Sequence, residues 1–291
     1  MVAVPENRPD LSRRPAKTRR AVRVGRLAGW LLVAGGALLM AFPLYWMLVT
    51  SVSTTADLKA GDYGLFPREI VWAGFSRVFE QLPFFQWFLN SVIIAVVAVA
   101  LTVTINVVCG YAFAKLRFPG RRVLFVLIVS TLIIPVQVLM VPQFEIVAEL
   151  GWVDTYWGVI IPRSAEAFGI FFAYQFFKGI PDELIEAARL DGAGELTIVR
   201  SIVLPLSMPL IAVLVIFTFM WRWNEFAWPL IVLKDSDAYT LPVGLLFLQG
   251  QYTTDYPALM AGSLLSVLPM LAIFVIFQRF FVEGVARSGL K

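Results

Sequence analysis

Six apolar stretches, each long enough to cross a bilayer, constrain this chain more than any other feature of it. The first, Leu27 to Thr50, contains no charged residue. A helix rises 1.5 Å per residue, so about 20 apolar residues cover a hydrocarbon core of ~30 Å. Further stretches run from about Phe88 to Ala114, Val123 to Val141, Thr155 to Phe177, Leu206 to Leu233 and Ala258 to Phe281. Lipid offers no water to backbone N–H and C=O groups, which makes the helix the way across. The expected fold is therefore an all-α polytopic membrane protein with six transmembrane helices. No soluble core needs so much apolar chain, with 59% of 291 residues hydrophobic and 15% charged.

Several function classes fall away at once. The chain has no histidine, so His-based triads, His metal sites and His acid–base chemistry are excluded, and no metal site is expected. Cys109 lies inside an apolar stretch, where it packs as a small hydrophobe. No Gly-x-x-x-x-Gly-Lys-Ser/Thr sequence occurs, so any ATP that drives the protein is bound by another subunit. No paired carboxylates sit in a loop at catalytic spacing, and a membrane enzyme is disfavoured. The net charge of +4 lies in segments flanking the spans, as insertion requires, and does not suggest nucleic acid.

Residues 1–26 hold eight Lys/Arg against Glu6 and Asp10, with three prolines, and are expected to form a disordered basic arm. The run 27–50 exceeds the ~7 to 15 apolar residues of a signal peptide and lacks a clear cleavage site, so it is expected to remain as the first span. The arm and the turn Lys115 to Arg122 carry twelve bases and two acids, while Pro142 to Asp154 carries Glu145, Glu149 and Asp154 and no base. The positive-inside rule then puts both termini, including the tail 282–291, in the cytoplasm of a multi-pass protein of the cell membrane. Residues 51–87, Pro142 to Asp154 and Lys234 to Pro257 fall outside. The first and last of these are long and rich in tryptophan, tyrosine and glycine, which suits segments that meet a partner; for 51–87 a plain tether serves equally.

Between two of the spans lies a polar interruption, Lys178 to Pro209. Pro181 suits a first helical turn, Asp182 and Glu183 suit the positive N-terminal end, and Gly192 offers a left-handed stop. A helix from Pro181 to Asp191 is about 16 Å long and too charged for the bilayer, so it must lie outside the lipid. Leu184, Ile185, Ala187 and Ala188 give it a shallow apolar face, suited to a groove on a second protein. A second helical run, Glu195 to Val203, is expected to end at Pro205.

The order Glu186-Ala187-Ala188, three residues, Gly192, nine residues, Ile202-Val203-Leu204-Pro205 resembles the EAA loop of binding-protein-dependent ABC importers. Phe88-Leu89-Asn90-Ser91, Gly110-Tyr111-Ala112-Phe113-Ala114, Phe118-Pro119-Gly120-Arg121, Leu150-Gly151-Trp152-Val153-Asp154-Thr155 and Trp223-Asn224-Glu225-Phe226 are similar to the carbohydrate-uptake branch, namely the smaller six-span permease of a maltose-type pair. The resemblance implies the type I ABC importer transmembrane fold, with helices 2 to 6 in residues 88–281 and the coupling loop at 178–205. It implies four partners: a second permease subunit, an ATPase dimer holding ATP and Mg, an extracytoplasmic sugar-binding protein and the lipid bilayer. Glu186, Ala187, Ala188, Asp191 and Gly192 would dock the ATPase, and Gln249, Gly250, Gln251 and Tyr252 would approach the binding protein. The tail Gly284 to Lys291 follows the family's ending only loosely, and the basic arm is longer than the pattern needs. The expected function is uptake of an oligosaccharide or sugar derivative, with glycerol-phosphate or polyol substrates open. The rival is a self-sufficient secondary transporter or channel, which predicts inverted repeats and midplane ion-binding acids that the chain does not convincingly show.

Four charges fall inside spans: Arg163 and Glu166 in the fourth, Arg222 and Glu225 in the fifth, each pair at i, i+3 and expected on one helical face. A charge at such depth costs roughly 3 kcal/mol or more and should face protein or water. Counting inward from Thr155 and from Lys234 places all four about 12 to 18 Å below the outer edge, in one layer. Two roles fit. With Trp221, Trp223 and Asn224 they supply the side-chain types that a sugar pathway needs; alternatively they form interhelical salt bridges beside interfacial tryptophans. Pro135, Pro162 and Pro269 are candidate kinks.

Overall fold

The computed structural model describes residues 16–61, 64–249 and 254–288, with side chains described between 25 and 278. The described backbone is helical, and no strand occurs among the described residues beyond one isolated bridge between Gln249 and Thr254. The chain runs through α1 (Ala16–Ser51), short α2 (Thr55–Lys59), α3 (Ala73–Gln81) and α4 (Phe84–Lys115). It continues through α5 (Arg121–Ser130), α6 (Val136–Glu149), α7 (Tyr156–Ile160) and α8 (Ala167–Lys178). The loop region holds α9 (Asp182–Leu190), α10 (Glu195–Ile198) and α11 (Leu204–Leu206), and the chain closes with α12 (Met208–Asn224), α13 (Ala227–Val232), α14 (Leu241–Leu245) and α15 (Tyr256–Ser288).

At the centre stands α4, which packs most extensively on α8 and α12. Small residues let the backbones approach: a β-carbon on Gly110 would lie 2.5 Å from Ala173 Cβ and 2.9 Å from Tyr174 N, and Gly169 lies directly against the Asn106 amide. One core runs from Val78 and Phe84 through Trp87, Val103 and Phe177 to Ile198 and Ala258. A second joins α4 to α6, α7 and α13 around Trp228, which is fully buried.

Among the described residues, several of the six expected spans are interrupted. Of the helices in the described residues, three are long and apolar enough to cross alone, at Gly25–Ser51, Phe84–Lys115 and Tyr256–Gln278. Two further helix pairs qualify only as bent spans, turning by 108° between Ile133 and Val136 and by 77° between Leu206 and Met208. The stretch expected to cross from Thr155 to Phe177 is interrupted at residues 164–166, leaving halves of 5 and 12 residues in α7 and α8. Pro135 and Pro162 stand at two of these interruptions, whereas Pro269 lies inside the unbroken α15. The helical run from Glu195 also differs from expectation. It passes Pro205 and stops at Leu206, because a π-turn over Val199–Val203 shifts the bonding register just ahead of the proline, whose missing N–H is then tolerated.

Candidate functional site

The four intramembrane charges do share one layer, but not on intact helix faces. After α7 a 3-10 turn over Ile161–Arg163 ends the first half-helix, Glu166 is extended, and α8 begins at Ala167. On the other side α12 ends at Asn224, Glu225 is extended, and α13 begins at Ala227. Each break therefore has the pattern Arg-x-x-Glu, with the arginine at the carbonyl end of one half-helix and the glutamate beside the N–H end of the next. Both charges complement the partial charges of the helix ends.

The two breaks face one another. Arg222 Nη2 lies 2.6 Å from Glu166 Oε1, Arg222 Nη1 3.1 Å from Glu225 Oε2, and Arg163 Nη1 3.3 Å from Glu225 Oε1. Arg222 also donates to the Arg163 carbonyl, one of those freed by the break. The Arg163 guanidinium stacks 5.6 Å from the centre of the Trp228 ring, whose Nε1 donates to the Gly158 carbonyl at 3.1 Å. Among the described residues, the buried Arg163 Nε and Nη2 and Arg222 Nε have no hydrogen-bond acceptor. Two arginines and two glutamates thus cancel in charge while leaving donors in excess.

The neighbouring aromatic residues divide. Trp223 is 2% exposed, stacked on Phe219 and met edge-on by Phe88, and its Nε1 donates to the Ser266 carbonyl at 2.9 Å. It packs α12 against α4 and α15 and presents no open ring face in this conformation, which departs from its expected stacking role. Trp221 points outward at 68% exposure. Asn224 is exposed, with its amide donating to the Met220 carbonyl at 2.8 Å. Trp223→Ala is accordingly expected to lower the melting temperature of the purified protein, at a cost of about 3 to 5 kcal/mol, with uptake of every sugar falling together. A change in sugar preference at unaltered stability would return Trp223 to the pathway.

The polar loop forms a second site. Pro181 caps α9, and Gly192, at φ 81°, ends it: Ala193 N donates to Ala188 O and Gly192 N to Arg189 O, each at 3.0 Å. Ile185 and Ala188 turn into the protein's own core, whereas Leu184, Glu186, Ala187, Asp191 and Leu190 are exposed, the last at 89%. The apolar face read from the sequence is thus two faces. Lys115 Nζ donates to Ile180 O at 2.6 Å and pairs with Asp182 at 2.5 Å, and its ammonium holds the Asp182 carboxyl below the usual carboxylate range. Tyr111 donates to Glu195 at 3.0 Å, and Arg189 pairs with the same carboxylate at 2.6 Å.

At the opposite end of α4, a third set of contacts fixes residues 234–241 and Asp255. Asp154, itself at φ 61°, accepts from the N–H groups of Lys234 and Asp235. Trp87 donates to Ser236 O, Asn90 donates to Asp237 O and Tyr239 O, and Ser91 accepts from Leu241 N. Arg77 on α3 pairs with Asp255 at 2.5 Å. Of the expected tip residues only Gln249 is described; Gly250, Gln251 and Tyr252 lie outside the described residues. Asn90, Tyr111 and Lys115 were not singled out from sequence, although each stands in or beside a quoted motif. The available signal was a polar side chain in an apolar helix, which needs a partner.

Residues 106–287 match the family model described as the binding-protein-dependent transport system inner membrane component. The arabinooligosaccharides transport system permease protein AraQ of Halalkalibacterium halodurans is 36% identical over 91% of this chain and 97% of its own length. The sn-glycerol-3-phosphate transport system permease protein UgpE of Brucella abortus is 33% identical over 91% of this chain and 97% of its own. Among solved structures, a bacterial ABC transporter involved in import of the acidic polysaccharide alginate aligns with a TM-score of 0.78 and 25% identity, covering 90% of this chain and 98% of that one. Family model, near full-length relatives and shared helical architecture agree, and the chain belongs to the binding-protein-dependent transport system inner membrane components of ABC importers.

Proposed function

We propose that this chain is the smaller permease subunit of an ATP-driven importer for a carbohydrate, an oligosaccharide or sugar derivative. The observation that carries the reading is the exposed, rigidly capped helix α9, joined to a membrane-spanning helix and flanked by family motifs in register. Its exposed residues Leu184, Glu186, Ala187, Leu190, Asp191 and Gly192 are the docking face for one subunit of an ATPase dimer, which holds ATP and Mg. A second permease completes the pathway, and a solute-binding protein delivers the sugar. On this reading the broken stretches still count as crossings, six in all, with both termini cytoplasmic.

Relatives named for arabinooligosaccharide and for glycerol-phosphate transport support a carbohydrate or a phosphorylated polyol. The four-charge layer is the proposed polar step of the pathway: its surplus guanidinium N–H groups suit oxygen-rich cargo, and the same donors would serve a phosphate. Loop 234–257, with Gln249, Gly250, Gln251 and Tyr252, is the segment proposed to meet the binding protein.

The test is a complex of this chain, its partner permease and its ATPase in proteoliposomes, with the binding protein added outside. Uptake of labelled oligosaccharide should require all components. Deleting Leu248 to Thr253 should leave basal ATP hydrolysis intact and abolish uptake. Uptake without ATPase or binding protein would instead establish the self-sufficient transporter.

A further inference from the structure

Helix α4 differs from every other helix in the interior. The stretches between it and α15 are interrupted at Ile134, at Ser164 to Glu166, at Ser207 and at Glu225, whereas α4 runs through 32 residues with no internal proline, about 48 Å at helical rise. Of the three unbroken spans it is also the most enclosed, with 39% of its apolar window buried against 11% for α15 and none for α1. A displacement applied to a broken helix is absorbed at the break; one applied to α4 reaches its far end.

Both ends of α4 grip a loop, the first by its backbone and the second by one backbone carbonyl and two carboxylates. At the first end Asn90 is fully buried and uses its whole amide: Nδ2 donates to Asp237 O at 2.7 Å and Tyr239 O at 2.9 Å, while Oδ1 accepts from Tyr156 OH at 2.6 Å and Gln86 Nε2 at 3.1 Å. One helical position later Ser91 accepts from Leu241 N at 2.7 Å, and a β-carbon on Gly244 would run into the Trp87 ring. At the other end, about 32 Å away by helical rise, Tyr111 holds Glu195, and Lys115 holds Ile180 O and Asp182. The two loops gripped are those proposed above to meet the binding protein and the ATPase.

We infer that α4 is a strut that carries binding-protein docking to the ATPase-docking helix, with Asn90 and Tyr111 as the positioning residues at its ends. This rests on the proposed function. Neither residue touches cargo or nucleotide; each fixes a loop to one rigid body, so both belong to a single transmission path. Residues on one path do not lose function independently, and a double-mutant cycle exposes that.

The experiment measures binding-protein-stimulated over basal ATP hydrolysis in the assembled complex for Asn90→Ala, Tyr111→Phe and the double variant. Tyr111→Phe keeps the ring against Phe177, 5.8 Å away, and removes only the hydroxyl. Tyr111→Phe should cut the ratio about fivefold, the effect of one net hydrogen bond; Asn90→Ala, which removes four, should cut it at least as far, with the double variant falling no further than Asn90→Ala alone. If Asn90→Ala does not assemble, Ser91→Ala takes its place at the same end. Losses that multiply in the double variant, about 25-fold or more, or ratios equal to wild type would overturn the strut. A wild-type complex unresponsive to its binding protein would overturn the proposed function itself, and the strut with it.

Discussion

Ala187→Glu is expected to cut sugar uptake about 30-fold, a loss of ~2 kcal/mol at a central interface contact, while the permease still inserts and folds. Ala187 is exposed on α9 between Leu184, 47% exposed, and Leu190, 89% exposed, and makes no part of the protein's own core. A carboxylate there leaves the chain's internal packing untouched and meets only what docks on it. Ala188→Glu is expected to fail differently. Ala188 is 9% exposed and shares the core with Ile185, Ile198 and Val203, so its variant should lose expression before it loses docking. Gly192→Pro removes the N–H that Arg189 O accepts and cannot adopt φ 81°, costing about 3 kcal/mol or more locally and tilting the helix. Pull-down of the ATPase by detergent-solubilised variants, alongside uptake, separates these cases. An Ala187→Glu protein that retains the ATPase and transports normally would remove α9 from the docking role.

Where sequence and structure part, the reason is physical in each case. The ends of α9 were legible because capping is local: Pro181 and Gly192 act through their own backbone geometry, and the expected helix was one residue too long at each end. The single layer of four charges was legible because antiparallel stretches can be counted inward from their outer edges. The breaks were not, because Arg-x-x-Glu suits one face of a helix as well as the two sides of a gap. The break at Glu225 nevertheless left a trace. Pro229 has no N–H to offer the Glu225 carbonyl, and its ring crowds that carbonyl, which weakens a helix at residue 225. Pro142 and Pro269 lie within continuous helices, so proline alone does not mark a gap. Which aromatic residues line a path and which fill a core was equally hidden, since Trp221, Trp223 and Trp228 sit in a stretch apolar on all sides. Only the packing distinguishes outward Trp221 from the buried pair.

For the four charges the geometry sharpens what a substitution should do. They form two pairs, Arg222 with Glu166 and Arg163 with Glu225, joined by the Arg222–Glu225 contact. Arg222→Glu would set a second carboxylate against Glu225, so reversing the signs of a pair cannot restore the layer. Neutralising a whole pair can. Glu166→Gln alone leaves the buried Arg222 and Arg163 to share Glu225 and is expected to destabilise the complex by about 3 kcal/mol, lowering its yield and melting temperature, while Arg222→Gln leaves the half-buried Glu166 without its partner and should cost less. Glu166→Gln combined with Arg222→Gln leaves the Arg163–Glu225 pair intact and the layer neutral, so it should recover most of that loss. Uptake by the double variant then decides the role of the layer. Recovery of stability with uptake of all sugars restored would make the quartet a structural clamp between two broken helices. Recovery of stability with uptake altered for some sugars and not others is the expected result, because the excess N–H groups of this layer are what an oxygen-rich cargo would bind, and two of the four charged partners that set their positions are gone.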